Sequence, residues 1–462
     1  MTSRVQDERI TNLNDKDVTD SDYVLYWLQQ SQRAEDNPAL EYAVQQANEL
    51  KKPLLVGFGL MDDYPEANLR HYTFMLEGLK ETQAALKRRD INMVVQRGAP
   101  DEVAVNLSKH AALLITDRGY LNIQKKWREH VADSAACKVV QVEGDVVVPV
   151  NLASDKREYG ARTLRPKIHK HLEKFLVDLK PTAVDQSSLG LKVEGVDLSD
   201  PVKLAKSLKL EQQVAPVSEF FEGGTSRGKA IIENFLDNKF SDYAEHRNQP
   251  QTNDVSHMSK YLHFGQVSPV WLAQAIRHAN ASQKNIETYV EELVVRRELT
   301  MNFVNFTENY DTYNCIPDWA KKTLAEHADD EREYLYTHEE FENAETHDPY
   351  WNAAMNEMRY TGYMHNYMRM YWGKKILEWT GTPRHGHDVT LRLNNKYFLD
   401  GRDANSFSNV AWVYGNHDRP WQERAVVGKV RYMNAAGLKR KADPDAYVEK
   451  VAKMMDQAEH DA

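Results

Sequence analysis

Cysteine is almost missing from this sequence: Cys137 and Cys315 are the only two in 462 residues. So few exclude a disulfide framework and a cysteine-rich metal site, and they point to a reducing compartment. Long apolar runs are missing too, since none approaches the roughly 18 residues of a membrane span. The opening stretch, MTSRVQDERITNLNDKD, has no apolar core of the kind a secretory leader needs. No GxGxxG or GxxxxGK[ST] pattern follows the first strand-like run, so the usual dinucleotide and P-loop signatures are not indicated. There is no internal repeat and no low-complexity tract. Excess positive charge is also lacking, with a formal net charge of −10. One segment departs from that balance. Residues 419–441 hold Arg419, Arg424, Lys429, Arg431, Lys439, Arg440 and Lys441 against the single acid Glu423. Such a run is a footprint for phosphates or, more often, a solvated surface.

What is present describes a folded chain of more than one core. The hydrophobic fraction is 41% and the aromatic fraction 10%, and the length exceeds what a single core supports. In the first third, the runs at 23–28, 53–60, 91–97, 112–117, 138–144 and 145–150 have strand character. Helical patterns alternate with several of them, which predicts a Rossmann-like parallel sheet covered on both faces. The stretch PTAVDQSSLGLKVEGVDLSDP carries turn formers and little periodicity. Beyond it the apolar spacing settles near 3.6 residues and strand signals nearly vanish. The expected organisation is an α/β domain over 20–180, a linker over 181–214, and a mostly α-helical domain over 215–462.

Four stretches carry polar chemistry. VSHMSKYLHFGQVSP, residues 255–269, pairs Ser256 with Ser259 ahead of an aromatic–glycine turn. These serines are a phosphate cradle or simple helix caps. In IETYVEELVVRRELTMNF, Glu292 and Arg296 stand four apart, a surface ion pair or a carboxylate aimed at a polar ring. Residues 392–422 have the composition of a long polar loop, with Asn394, Asp400, Arg402, Asp403 and Asn405 suited to a flat heterocycle. Trp412 and Trp421 in that stretch offer stacking faces. YMHNYMRMYWGKKILEWT, residues 363–380, is a helical pattern crowded with Tyr, Trp and Met. Trp372 and Trp379 share a face there, roughly 10.5 Å apart along the axis. Trp351 lies farther back, and the Thr361–Gly362 interruption predicts a fold-back toward the other two. Aromatic core packing is the ordinary reading of such spacing.

Six stretches, in order, resemble the class II cyclobutane pyrimidine dimer (CPD) photolyases of the photolyase/cryptochrome superfamily. They are SDYVLYWLQQSQRAEDNPAL, VSHMSKYLHFGQVSP, EELVVRRELTMNF, RYTGYMHNYMRMYWGKKILEW, LNNKYFLDGRDANSFSNVAW and PWQERAVVGKVRYM. The resemblance runs from about 20 to 440. It implies an antenna-type α/β domain, a long connector, and a helical domain that binds FAD and the DNA lesion. The implied activity is a light-driven carbon–carbon lyase reaction. Excited, reduced, anionic FAD gives an electron to a flipped-out dimer in damaged double-stranded DNA, the cyclobutane ring splits, and the electron returns. A deazaflavin (8-HDF) or folate antenna in the N-terminal domain is also implied as an option. A monomer with no membrane association is expected, in the cytoplasm at the nucleoid, or in the nucleus of a eukaryote.

Carried over by motif, Val255, Ser256, His257, Met258 and Ser259 would hold the FAD phosphates, with Tyr243 and Asn366 lining the cofactor. Arg369 and Asp400 would pair beside the flavin ring, and Asn394 would face its N5. Gly401, Arg402 and Asn405 complete the implied ring-binding loop. Glu292 would accept the dimer's ring N–H groups, while Arg247, Met370 and Trp412 line the lesion pocket. Arg431 would meet phosphates or fill the gap left by the flipped bases. Trp372, Trp351 and Trp379 would carry electrons from the surface, with Trp372 nearest the flavin. One departure stands out: class I relatives carry a Trp where this chain reads EELVVRRE. The paired histidines of a (6-4) photoproduct enzyme are not in their usual context, which favours CPD repair. A cryptochrome-like blue-light receptor is the alternative, and the short tail after the last motif favours the enzyme.

Overall fold

Short runs rich in Val, Leu and Ile are too brief for stable helices and fit a pleated, covered surface. In the computed structural model, which describes residues 5–460, they form a six-stranded sheet. Its strands are β1 (Ile10–Asn12), β2 (Tyr23–Trp27), β3 (Leu54–Leu60), β4 (Asn92–Arg97), β5 (Ala111–Asp117) and β6 (Lys138–Val142). The order is β1-β6-β5-β2-β3-β4, with β1 antiparallel to β6 and every other pairing parallel. Every residue of β2, β3 and β5 is buried, because helices cover both faces. Val24, Tyr26 and Leu28 enter one layer of core, while Tyr23, Leu25 and Trp27 enter the other.

The chain winds outward through β2, β3 and β4, then returns past β2 to start β5. That reversal opens a crevice at the carboxyl ends of β2 and β5, the usual ligand position in such sheets. Asp117 ends β5 there and accepts the Gln29 and Gln30 amides at 2.9 Å each, and also that of Ser31.

Two strand expectations need correction. Residues 145–150 are not a strand, although Val146, Val147 and Val148 are fully buried. Side chains satisfy their backbone instead of a neighbouring strand. Glu298 accepts the Val147 and Val148 amides at 2.5 and 3.3 Å, and Arg9 donates to the Val146 and Val147 carbonyls at 3.1 and 2.8 Å. The edge strand β1 lies in a polar segment whose composition gave no signal.

Among the described residues after 200 there are helices and no strand. The stretch 392–422 is not one long loop. It contains the end of the Pro383–Tyr397 helix, a short turn, and the Ala404–Val413 helix, whose first amide is capped by Asp403 at 2.7 Å. Gly401 permits that turn, since a Cβ there would sit 2.9 Å from the carbonyls of Asn394 and Phe398. The Pro349–Thr361 helix stops at Gly362, whose φ of 69° favours glycine, and the chain doubles back into the Asn366–Trp379 helix.

Candidate active site

The centre of the site is Arg369, on the Asn366–Trp379 helix, facing Asp400 in the turn. Two parallel N–H···O bonds of 3.0 and 3.1 Å join them. Burial pushes the Asp400 carboxyl upward, yet Arg369 and the Ser259 hydroxyl outweigh it and hold the group below its ordinary range. The Arg369 guanidinium also lies 3.8 Å above the Phe398 ring and 5.7 Å from that of Tyr363. Lys260 is 1% exposed close by, its ammonium 3.5 Å from the Phe221 ring centre and 3.2 Å from the His257 carbonyl. Burial pulls that ammonium down to about 7, against the attraction of Asp400. Lys260 lies inside the VSHMSKYLHFGQVSP motif and was missed as a site residue. Nothing in local spacing shows that this one charge is covered by aromatic rings.

Residues 255–259 approach the pair from the other side. Neither serine caps a helix: the cap position before Ser259 belongs to Met258, and Ser256 accepts the Tyr289 hydroxyl at 2.7 Å. Ser259 is exposed, Met258 is buried, and Val255 and His257 are half-buried. His257 adopts a φ of 55° and packs 4.6 Å from Tyr363. Tyr243 is buried against Phe235, Phe240 and Tyr289. Asn366 is exposed at the start of its helix. Buried polar atoms without partners gather in this region, namely His257 Nδ1 and His365 Nε2. His365 Nδ1 accepts the Tyr367 amide at 3.2 Å, so its proton resides on Nε2, aimed at no acceptor among the described residues. Burial keeps that ring neutral, at about 3. The Ser259 hydroxyl, a side-chain amide, a bidentate cation, the His365 Nε2–H donor and the His257 Nδ1 acceptor together form a polar set that fits a flavin nucleotide.

Asn394 is 6% exposed and donates to Asn395 at 3.0 Å. Asn405 donates to Asp403 at 3.1 Å. Arg402 turns elsewhere: with φ at 63°, its guanidinium meets His71 Nε2 at 2.9 Å and the Asn395 carbonyl. It thereby lines the crevice at the sheet's switch point, with Leu28, Phe58, Tyr64, Trp127 and His263. His71, 331 residues away in the chain, is one of the two partners that fix this, so the motif alone could not show it.

Glu292 lies in a π-helical turn, Glu291–Arg296. The wider i→i+5 register brings Arg296 to Glu291, at 3.0 Å, instead of to Glu292. The expected Glu292–Arg296 pair is therefore absent, and Glu292 meets Arg247 at 2.7 Å. Farther along, Met370 is half-buried against the Trp351 cluster. Trp412 is half-buried with two cations over its ring, Lys374 at 4.8 Å and Arg431 at 5.5 Å. Arg431 also covers Trp421 at 4.2 Å and pairs with Asp418 at 2.9 Å.

The fold-back brings three tryptophans together. Trp351 and Trp372 stack at 6.4 Å and 14°, and Trp351 and Trp379 meet edge-on at 6.2 Å. Trp351 thus bridges the two indoles that share a helix. At the inner end Trp372 packs 6.4 Å from Phe398, the ring beneath Arg369. All three are buried, so the expectation that the series itself reaches the surface is corrected.

Residues 24–186 match the family described as DNA photolyase. The deoxyribodipyrimidine photo-lyase of Methanothermobacter thermautotrophicus is 48% identical over 97% of this chain and 99% of its own length. That of Potorous tridactylus is 37% identical over 93% of this chain and 81% of its own. Among solved structures, a class III photolyase from Agrobacterium tumefaciens superimposes with a TM-score of 0.70 at 18% identity, covering 94% of this chain and 87% of that one. An archaeal photolyase from Sulfolobus tokodaii with two FAD molecules gives 0.68 at 16% identity, covering 93% and 89%. At those identities the structural likeness speaks to the fold alone.

Proposed function

The chain belongs to the DNA photolyase family, and from that premise we propose a class II enzyme that repairs cyclobutane pyrimidine dimers in DNA by light, with FAD as cofactor. The observation that carries the reading is a continuous arrangement. The stacked tryptophans end at Trp372, and Phe398 links that indole to the Arg369–Asp400 pair. Bound FAD supplies the light-driven electron that opens the cyclobutane ring.

The residues divide the remaining work. Ser256, His257 and Ser259 hold the phosphates, with Tyr243 and Asn366 along the cofactor. Arg369 stays paired with an ionised Asp400, so the ring edge meets a donor and an acceptor at no cost of an isolated buried ion. The Asn394 amide offers either a donor or an acceptor to the ring. Glu292, oriented by Arg247, accepts N–H groups of the dimer bases. The EELVVRRE run, without the Trp of class I relatives, supports the class II assignment and leaves the lesion stack to Trp412. Arg431, over the Trp421 ring, meets phosphates or fills the gap left by the flipped bases. The crevice lined by Phe58, Tyr64, Trp127 and Arg402 is the proposed antenna site, its aromatic walls suited to a planar pigment such as a deazaflavin or a folate.

The test uses flavin-loaded, chemically reduced protein under blue light with oligothymidine carrying one dimer. Intact thymines are expected, and an unchanged dimer after illumination would refute the reading and leave a light receptor without repair.

A further inference from the structure

An asparagine amide has a donor edge and an acceptor edge of nearly the same shape, so its orientation is set by its partners. For Asn394 those partners leave one choice. Its side chain meets that of Asn395, which is fully buried, at 3.0 Å. Asn395 Oδ1 also accepts the Arg402 backbone N–H at 3.0 Å. A backbone N–H only donates, so that edge of Asn395 is the oxygen and the other edge carries Nδ2. Asn395 Nδ2 donates to Glu66 Oε2 at 2.6 Å, and a carboxylate only accepts. Both edges of Asn395 are therefore fixed. Asn394 has to present its Nδ2 there, which turns its Oδ1 away from Asn395. No donor meets that oxygen among the described residues.

Glu66 belongs to the α/β region, in the loop between β3 and the Leu69–Lys87 helix, with φ at 59°. It is 329 residues from Asn395 in the chain. Tyr64 and Ala67 of the same loop line the crevice at the sheet's switch point.

We propose that Glu66 is a positioning residue for the flavin site: through Asn395 it holds Asn394 with the carbonyl oxygen toward the N5 edge of the ring. This rests on the reading of Asn394 as the residue facing N5. An oxygen there accepts an N–H and opposes a bare nitrogen lone pair. The reduced ring carries hydrogen at N5 and the oxidised ring does not, so the arrangement favours the reduced form. The α/β region thereby sets the redox poise of a cofactor held by the helical region.

The competing role is structural, because the same segment fastens the turn before Asp400. Asn68 Nδ2 donates to the Lys396 carbonyl at 2.7 Å, Arg70 donates to that of Tyr397 at 2.9 Å, and His71 Nε2 lies 3.1 Å from that of Phe398. Those three hold backbone, which stays fastened without Glu66. Glu66 holds a side chain, one residue from the amide assigned to N5. A carboxylate also acts through its charge, and the two effects differ in sign. Removing a negative charge makes reduction of a nearby ring easier, whereas releasing Asn394 makes it harder.

The test is the midpoint potential of the bound flavin, taken by redox titration of the flavin-loaded full chain. Glu66 is exposed, so its substitution leaves the core intact. Glu66→Ala should lower the potential, and the ratio of reduced to oxidised flavin at a fixed poise should fall severalfold. Glu66→Gln keeps an acceptor for Asn395 Nδ2 and should stay close to the wild type. In an Asn394→Ala background, Glu66→Ala should add no further fall. An unchanged or raised potential in Glu66→Ala would overturn the proposal. So would an equal shift in Glu66→Gln, or a full-sized fall that persists without Asn394. If Asn394→Ala alone leaves the potential unchanged, the N5 reading fails and the proposal with it, while dimer repair by chemically reduced protein still reports separately on the enzyme.

Discussion

Trp27 in the sheet and Trp351 in the helical region are equally buried, at 1% and 0% exposure, and their surroundings differ completely. Trp27 lies on β2 among Leu25, Leu55, Val94, Leu114 and Val139, and no aromatic ring partners it among the described residues. Trp351 touches Phe341, Trp372 and Trp379. A strand sends alternate residues into one layer, so an indole there meets aliphatic side chains from adjacent strands. Two antiparallel helices joined at Gly362 bring rings from separate turns face to face. Burial is therefore uninformative about an electron role, and the identity of the neighbouring rings decides it.

The largest test of that contrast is a pair of substitutions. Trp372→Phe should abolish light-driven reduction of the bound oxidised flavin and leave repair by chemically reduced protein intact. Trp27→Phe should leave both unchanged and destabilise the fold by about 1–3 kcal/mol, measured by denaturant unfolding. Equal loss of photoreduction in the two variants would break the comparison.

The two regions also differ in how they treat buried acids. Asp145, beneath the sheet's carboxyl ends, pairs with Arg297 at 2.8 Å, yet burial dominates and pushes its carboxyl up to about 7. Asp400 is held below its ordinary range by the bidentate Arg369. Arg369→Leu should therefore cost about 3–5 kcal/mol of stability by stranding an ionised Asp400. Asp400→Asn in the same background should recover most of it, and no recovery would show that the arginine acts through packing alone.

A smaller effect sharpens the picture at Lys260. Its ammonium is lowered by burial from 10.5 to about 7. The unfolded chain binds the extra proton between those values, so this lysine's penalty is full below about 7 and fades as pH rises toward 10.5. Lys260→Met should raise stability at neutral pH by on the order of a few kcal/mol, a gain that vanishes near pH 10. A pH-independent gain would trace the effect to the methionine's apolar contacts.

Much of this was legible in the sequence at short range. Runs of Val and Leu marked five of the six strands, and the 3.6-residue spacing marked the helical region. The residues of the central pair stand in recognisable motifs. What failed was local inference across irregular backbone. Val146 to Val148 read as a strand until Arg9 and Glu298 took their hydrogen bonds, and the π turn moved Arg296 from Glu292 to Glu291.

The sequence by itself determined which segments could be strands or helices and which side chains could carry charge, because periodicity and side-chain chemistry are properties of neighbours in the chain. Only the tertiary structure decided that Trp351 bridges Trp372 and Trp379, that Arg402 faces the crevice, and that Trp379 stops short of solvent. Those outcomes depend on contacts between residues far apart in sequence, where packing and desolvation set the partner and no local pattern records the choice.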